Sequence, residues 1–453
     1  MRIITDKQKT LSFTSVCISA RDQWEMISSV LDANPEVAEL VWGDLTTDRG
    51  GKRKKETGAR GMTADQVLRF AIVEKRERLS YRRLHDRVDD SIVLREFCRV
   101  PFGKIPAVST LQDNIKKLRP ETLSKINAII VRYAREKKIE DGARVRIDTT
   151  GVESNIHHPS DSAQLWDSVR VLTRVLRRVE TDLPRMRGRF SDHTRAAKRL
   201  RYRLVNARSM NKKRPLYRRL IKIARKVVGY ARRARAELRP EYCAGIDEML
   251  LAARHAAELE QYLPLAEAVI DQSVRRVLNG EQVPAAEKVV SIFEPHTDII
   301  KKGQREIIYG HKALLSGGRS NLILDCRVER GNPADSGQFI PALERHDGVY
   351  DAAPGQVATD AGFASADNAR NARALGVKDV VFAAPNGAES VTSARTYKRL
   401  RNWRSGIEGV ISAGKRAFGL NRCTWSGFES FQSYVQLAVL AFNLQTLARH
   451  LLA

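Results

Sequence analysis

A chain of 453 residues with 42% hydrophobic residues has room for two or three domains and a sizeable core, which excludes wholesale disorder. Its net charge of +26, with no run of about 18 apolar residues, excludes a transmembrane helix and points to a polyanionic partner; at 6% aromatic, nucleic acid fits better than an anionic membrane surface. Five scattered cysteines with no CxxC spacing exclude a disulfide framework or zinc ribbon and fit a reducing cytoplasm.

The first residues, MRIITDKQKTLSF, lack the charged-then-apolar layout of a secretory signal. A helix is expected near Asp22–Leu31. The basic stretch DRGGKRKKETGARG follows, either a solvated linker or an arm that touches phosphates.

From Met62 to about Arg135 the period is helical. Val67, Leu68, Ala71 and Ile72 form an apolar stripe, and Thr63 with Gln66 three residues on predicts a capping box. Four more short helices follow up to Arg135. Arg on their exposed faces suits a helix-turn-helix type of DNA reader, and a helical bundle with a basic surface suits the pattern equally. Residues 1–138 are therefore expected to form an N-terminal helical domain.

At Ala143 the period changes. ARVRIDTTGVESNI predicts a strand ending in the carboxylate Asp148, a turn at Gly151 and a second strand running back. Residues 162–288 return to helical periodicity. Between Val171 and Pro240 there are 24 Arg or Lys against four acids, a net +20 of the chain's +26. Apolar stripes that include Leu172, Val175, Leu220 and Val227 predict long amphipathic helices here, suited to clamping a sugar–phosphate backbone through residues such as Arg214, Arg218 and Arg219.

Strands resume near Lys288. SGGR between ALL and NLILD predicts a hairpin, and Asp335–Glu344 a helix. Val357–Thr359 reads as a strand that ends at Asp360, SADNARNARALG as a helix closed by Gly376, and VKDVVFAA as another strand. Strand, carboxylate, turn, helix and strand in this order indicate an α/β sheet with acids at strand ends. Next, from Arg395 to Arg422, eight Arg or Lys surround the single acid Glu408. Arg404, Glu408 and Lys415 have offsets that place them on one face of a continuous helix. The segment 426–453 is apolar and predicts a closing helix.

Asp148, Asp360 and Glu408 are the acids best placed to bind two Mg²⁺, because magnesium takes carboxylate oxygens and substrate phosphates. Each acid has an ordinary alternative as a turn cap or a salt-bridge partner. Glu294, His296, Asp298 and His311 offer a second, mixed metal set, with strand-edge polarity as the competing account. Trp403 and Trp425 offer faces for an unpaired base, and core packing is the favoured role for both.

VRIDTTGVESNI, SIFEPHTDIIKKGQREIIYGHKALLSGGRSNLILD, GNPADS, ATDAGFAS and RNWRSGIEGVISAGKRAFGLNRCTWSGF together resemble the insertion-sequence DDE transposases. The ISNCY type is the nearest group, related to those with a Y-x2-R-x3-E-x6-K signature. The resemblance spans roughly residues 62–450 and implies a ribonuclease-H-like catalytic domain over 140–425, interrupted by the basic helical insertion. It implies that Asp148, Asp360 and Glu408 hold Mg²⁺, with Mn²⁺ able to substitute, and that Arg404 and Lys415 contact DNA phosphates. Arg401 occupies the signature's Tyr position, and Tyr397 lies one helical turn earlier. The implied activity is nicking of transposon ends, followed by attack of the freed 3′-hydroxyl on double-stranded target DNA, by an oligomer on paired ends in the bacterial cytoplasm, at the nucleoid. A metal-dependent nuclease or resolvase without strand transfer, and a non-catalytic DNA-binding descendant, are the alternatives; the presence of all three acids counts against the second.

Overall fold

The computed structural model describes residues 21–47, 61–101, 103, 105–186, 190–302, 306–383 and 391–453. Most of the basic stretch DRGGKRKKETGARG lies outside them. The chain divides into two compact units, 1–154 with 310–453, and 155–309.

Among the described residues, the first unit begins with seven helices: α1 (Arg21–Asp32), α2 (Glu36–Thr46), α3 (Ala64–Arg76), α4 (Tyr81–Asp90), α5 (Ile92–Phe97), α6 (Val108–Ile115) and α7 (Pro120–Glu136). The expected capping box starts α3. The Thr63 hydroxyl accepts from the Gln66 N–H, and the Gln66 side chain accepts from the Thr63 N–H, both at 3.1 Å. Almost every side chain of α3 is buried, so this helix is central rather than a surface reader.

A mixed sheet follows. β1 (Arg144–Glu153) is a single strand, not the expected hairpin. Thr-Thr-Gly has turn chemistry, yet β3 (Glu306–Gly317) pairs antiparallel with β1 from Arg146 through Glu153, Gly151 lying opposite Lys312. Long-range pairing here overrides a local turn signal. β2 (Asp298–Lys302) lies in the second unit and neighbours β3, whose first residues belong to that unit. The SGGR hairpin is present, linking β3 to β4 (Ile323–Glu329). On the other side of β1, β5 (Gln356–Asp360) and then β6 (Asp379–Ala383) add in parallel. The order β4–β3–β1–β5–β6 makes this an α/β unit with antiparallel and parallel halves meeting at β1.

Helices cover the sheet. A 3-10 turn over Asp335–Gln338 leads into α12 (Phe339–Tyr350), so the helix expected from Asp335 starts four residues later. α13 (Ala366–Ala374) ends before Gly376, which has φ +97° and closes the helix as predicted. α14 (Ala394–Arg404) and α15 (Gly406–Ala417) replace the single helix expected there. α16 (Phe428–Leu452) packs on α1, α3, α7 and β4 and is apolar nearly all round. Its polar residues have a specific use. Gln432 and Gln436 donate to the Val328 and Cys326 carbonyls, and Asn443 both donates to the Ile323 carbonyl and accepts from the Ile323 N–H. Side-chain amides thereby satisfy the free edge of β4.

The second unit is a helical bundle of α8 (Asp161–Asp182), α9 (Thr194–Asn206), α10 (Met210–Glu237) and α11 (Ile246–Ser273), with its own apolar core. Among the described residues, no helix is long and apolar enough to cross a membrane.

Candidate catalytic centre and nucleic-acid interface

The parallel pairing of β1 with β5 runs as far as Ile147 with Thr359. The next residues out are Asp148 and Asp360. Neighbouring strands run about 4.8 Å apart, and equivalent positions share a face, so this register makes the two carboxylates lateral neighbours. Their backbone surroundings differ. The Thr149 N–H donates to Asp148 Oδ1 at 2.7 Å, and the Gly362 N–H donates to Asp360 Oδ1 at 2.9 Å.

The electrostatics agree with this proximity. Burial pushes Asp148 up to about 6, the hydrogen bond from Thr149 opposes this, and the charge of Asp360 raises it further. Arg404 lowers it and Glu408 raises it slightly more. Asp360 is also raised, by burial first and by the charge of Asp335, with the Gly362 N–H and Arg404 pulling the other way.

Arg404, the last residue of α14, is the shared cation. Its Nη2 donates to Glu408 Oε1 at 3.0 Å and its Nη1 lies 4.0 Å from Asp148 Oδ2. Arg404 Nε is buried and has no hydrogen-bond partner among the described residues. Glu408 itself is 60% exposed. It sits in the first turn of α15, where a carboxylate is favoured by the helix dipole.

The break between α14 and α15 has a physical cause. Arg146, buried on β1, donates through Nη1 to the Trp403 carbonyl at 3.1 Å and stacks over the Trp403 ring at 4.8 Å. A Cβ on residue 406 would meet Arg146 Nη1 at 1.9 Å, so a side chain there would displace the guanidinium from its present place. The helix ends where this cation takes its carbonyl. Arg401 is exposed on α14, and Lys415 is partly exposed on α15. Arg404 and Glu408 thus reach the neighbourhood of Asp148 from two helices that meet at Ser405.

The other sequence candidates go elsewhere. Trp403 is half-buried beside Ala358, Val381 and Leu400. Trp425 is 3% exposed and packs under the Lys75 ammonium and edge-on to Tyr434. Both are packed in the first unit, the role favoured from sequence. Glu294 and His296 bond to each other at 2.7 Å in the second unit, while His311 is buried against Phe428 and Phe431 in the first. Sequence reasoning missed one acid. Asp335, inside the GNPADS motif, lies close enough to Asp360 to raise it, and its position after a Gly-Asn-Pro loop at the end of β4 was the available signal.

Carboxylate oxygens are the donors Mg²⁺ prefers, and the adjacency of Asp148 and Asp360 suits a hard divalent cation. Among the described residues, no three His, Cys, Asp or Glu side chains stand close enough to form a ready-made cage. Glu408 is held by Arg404 instead.

In the second unit, α10 buries Leu216, Leu220, Ile221, Ala224, Val227, Val228, Ala231 and Ala234. At 100° per residue the opposite half of the helix carries Arg214, Arg218, Arg219, Lys222, Arg225 and Lys226, all exposed and without an ion-pair partner among the described residues. Farther along, Arg232 and Arg235 pair with Glu267 and Glu260 of α11. The cations near the start of α10 thus form an exposed face that no acid of the described residues neutralises.

Residues 292–444, about a third of the chain, match the family model described as Transposase DDE domain. This match supports a DDE transposase family. It includes Asp360, Glu408, Arg401, Arg404 and Lys415, and stops short of Asp148. No curated protein and no solved structure gave a match to the chain.

Proposed function

We propose that the chain is an insertion-sequence DDE transposase of the ISNCY type that cuts transposon ends and joins the freed 3′-hydroxyl to target DNA. The observation that carries this reading is the lateral pairing of Asp148 with Asp360 across β1 and β5, in a chain whose later part matches a transposase domain. The strand order supports a ribonuclease-H-like core: counted by appearance in the first unit's sheet, it runs third, second, first, fourth, fifth, with only the second antiparallel to its neighbours.

In this reading Asp148 and Asp360 would hold Mg²⁺ or Mn²⁺, with Glu408 as the third acid, and Arg404, now bonded to Glu408, would take a phosphate. Bound there, the ion supplies charge neutralisation at the scissile phosphate and a stronger nucleophile. The chain's own part is orientation. The N–H groups of Thr149 and Gly362 fix one oxygen of each acid, leaving the other oxygen to ligate. Arg404 brings a guanidinium suited to a phosphate beside the acids, with Arg401 and Lys415 farther along the two helices. The exposed cations Arg214, Arg218 and Arg219 hold the DNA backbone without reading sequence. A homo-oligomer on paired ends completes the proposal.

The test is strand transfer. Purified chain, pre-cut ends and supercoiled target in Mg²⁺ should give joined products. Asp148→Ala, Asp360→Ala and Glu408→Ala should each abolish cleavage with end binding kept. Cleavage without joining would favour the nuclease reading, and full cleavage by one mutant would remove that residue from the site.

A further inference from the structure

Asp335 begins the 3-10 turn that follows β4, and its side chain is only 18% exposed. Lys312 Nζ donates to its Oδ1 at 2.8 Å, and the Thr149 hydroxyl donates to its Oδ2 at 3.3 Å. Thr149 is the residue after Asp148. Lys312 comes from β3, opposite Gly151 of the same strand, and also donates to the Pro333 carbonyl at 3.0 Å. Asp335 is thus tied to the strand that carries the first acid.

It is tied to the second acid as well. A Cβ on Gly362 would lie 3.1 Å from Asp335 Oδ2 and 3.3 Å from Asp360 Oδ1, so the two carboxylates close on the same small space. Asn368 donates from one amide to the Ser336 and Phe363 carbonyls, at 2.8 and 2.9 Å, and so joins the turn of Asp335 to the turn after Asp360. The negative charge of Asp335 is felt at Asp360.

We propose that Asp335 is a positioning residue for the acid pair: it holds the Asp148 strand through Thr149 and packs close against the Asp360 turn at Gly362, with Lys312 as its counter-ion. This rests on the reading that Asp148 and Asp360 take a divalent cation. Lys312 is needed because a third carboxylate without compensation would add repulsion where two already crowd. Conversely, without Asp335 the partly buried Lys312 ammonium keeps only the Pro333 carbonyl and stands as an uncompensated positive charge on the strand paired with that of Asp148. It would then compete with the metal. Groups that orient metal ligands typically change metal affinity by about 10–100-fold when removed.

The experiment is Mn²⁺ binding to the purified full-length chain, followed by electron paramagnetic resonance, with thermal midpoints as a folding control. Asp335→Asn should weaken Mn²⁺ about tenfold. The double variant Asp335→Asn with Lys312→Met should recover to within about threefold of the parent, because the neutral pair removes the competing cation. A role confined to folding gives no such recovery. Asp335→Asn within twofold of the parent, or a double variant no better than the single one, overturns the proposal. Should Asp335→Asn fail to fold, Gly362→Ala, which removes no charge and pushes the two carboxylates apart, should weaken Mn²⁺ in the same direction; unchanged affinity overturns the proposal. Asp148→Asn and Asp360→Asn serve as references. If both keep parental Mn²⁺ affinity, the metal reading itself fails, a result distinct from a silent Asp335.

Discussion

Arg404 places one guanidinium nitrogen 3.0 Å from Glu408 and another 4.0 Å from Asp148, so a single cation is shared by acids on a helix and on a strand. Because Arg404 lowers Asp148, its removal should raise that carboxyl above about 6. Arg404→Gln is therefore expected to move the Asp148 titration upward, read by carboxyl-carbon NMR on the metal-free protein. An unmoved or lowered midpoint would show that Arg404 does not face Asp148 in solution.

The raised Asp148 also makes a stability prediction. Its ordinary value is 3.8 and its folded value about 6, so the folded state holds the proton more tightly. Stability from this group is complete below about pH 4 and is lost as pH rises through about 6. The loss is on the order of 3 kcal/mol at neutral pH, using 1.36 kcal/mol per pH unit. Asp148→Asn should accordingly stabilise the metal-free protein at pH 7.5, by at most about that amount. The gain should vanish near pH 4. Denaturant melts at the two pH values check it, and an equal effect at both would contradict the assignment.

Much of this architecture is legible in the sequence because period-2 and period-3.6 patterns report burial directly. The five helices after Met62, the β3–β4 hairpin, the Val357–Thr359 strand and the basic amphipathic helices all follow from where Leu, Val and Ile recur. What escaped has a common origin in tertiary contacts. Gly151 looks like a turn until β3 is found to pair through it. Ser405 and Gly406 look helical until the Arg146 guanidinium takes the Trp403 carbonyl. Gln432, Gln436 and Asn443 look like incidental polar positions in an apolar helix until the β4 edge needs partners. At the site, Asp360 closes β5 as its pattern predicts, Asp148 lies inside β1 rather than at its end, and the approach of Asp335 to Asp360 depends on a packed turn that no local spacing encodes.

Gly406 gives a sharp test of the helix junction. Ala there would put a methyl carbon 1.9 Å from Arg146 Nη1, and the guanidinium would have to leave the Trp403 carbonyl. Arg146 is 3% exposed, so moving it strands a buried cation. Gly406→Ala should destabilise by about 1–3 kcal/mol, although alanine ordinarily favours a helix. Gly409→Ala, where a Cβ meets nothing within 4 Å, is the control and should be neutral or slightly stabilising. Equal melting temperatures for the two variants would refute the account.

Asn443 tests the edge-covering role of α16. Its amide serves the N–H and carbonyl of Ile323 and also donates to Asn127 Oδ1 at 2.7 Å, all fully buried. Asn443→Leu strands two polar groups, the Ile323 N–H and Asn127 Oδ1, while the Ile323 carbonyl keeps the Asn127 amide at 3.2 Å. A cost of about 2 kcal/mol or more is expected, since each stranded buried group costs about 1–3 kcal/mol. A loss below about 1 kcal/mol in urea unfolding would mean that water enters the edge.

The cations on α10 separate a DNA-binding role from mere surface charge. Arg218, Arg219 and Lys222 are exposed, have no acid partner among the described residues, and lie opposite the buried stripe, so changing them disturbs no core packing. Replacing all three with Gln should leave the thermal midpoint within a degree or two of the parent. Affinity for duplex DNA should fall regardless of sequence, and the slope of log K against log salt should flatten by about 0.9 for each phosphate that is no longer neutralised. Arg232→Gln, at a residue already paired with Glu267, should change the slope much less. If the triple variant keeps the parental slope, the polyanion lies elsewhere on the chain.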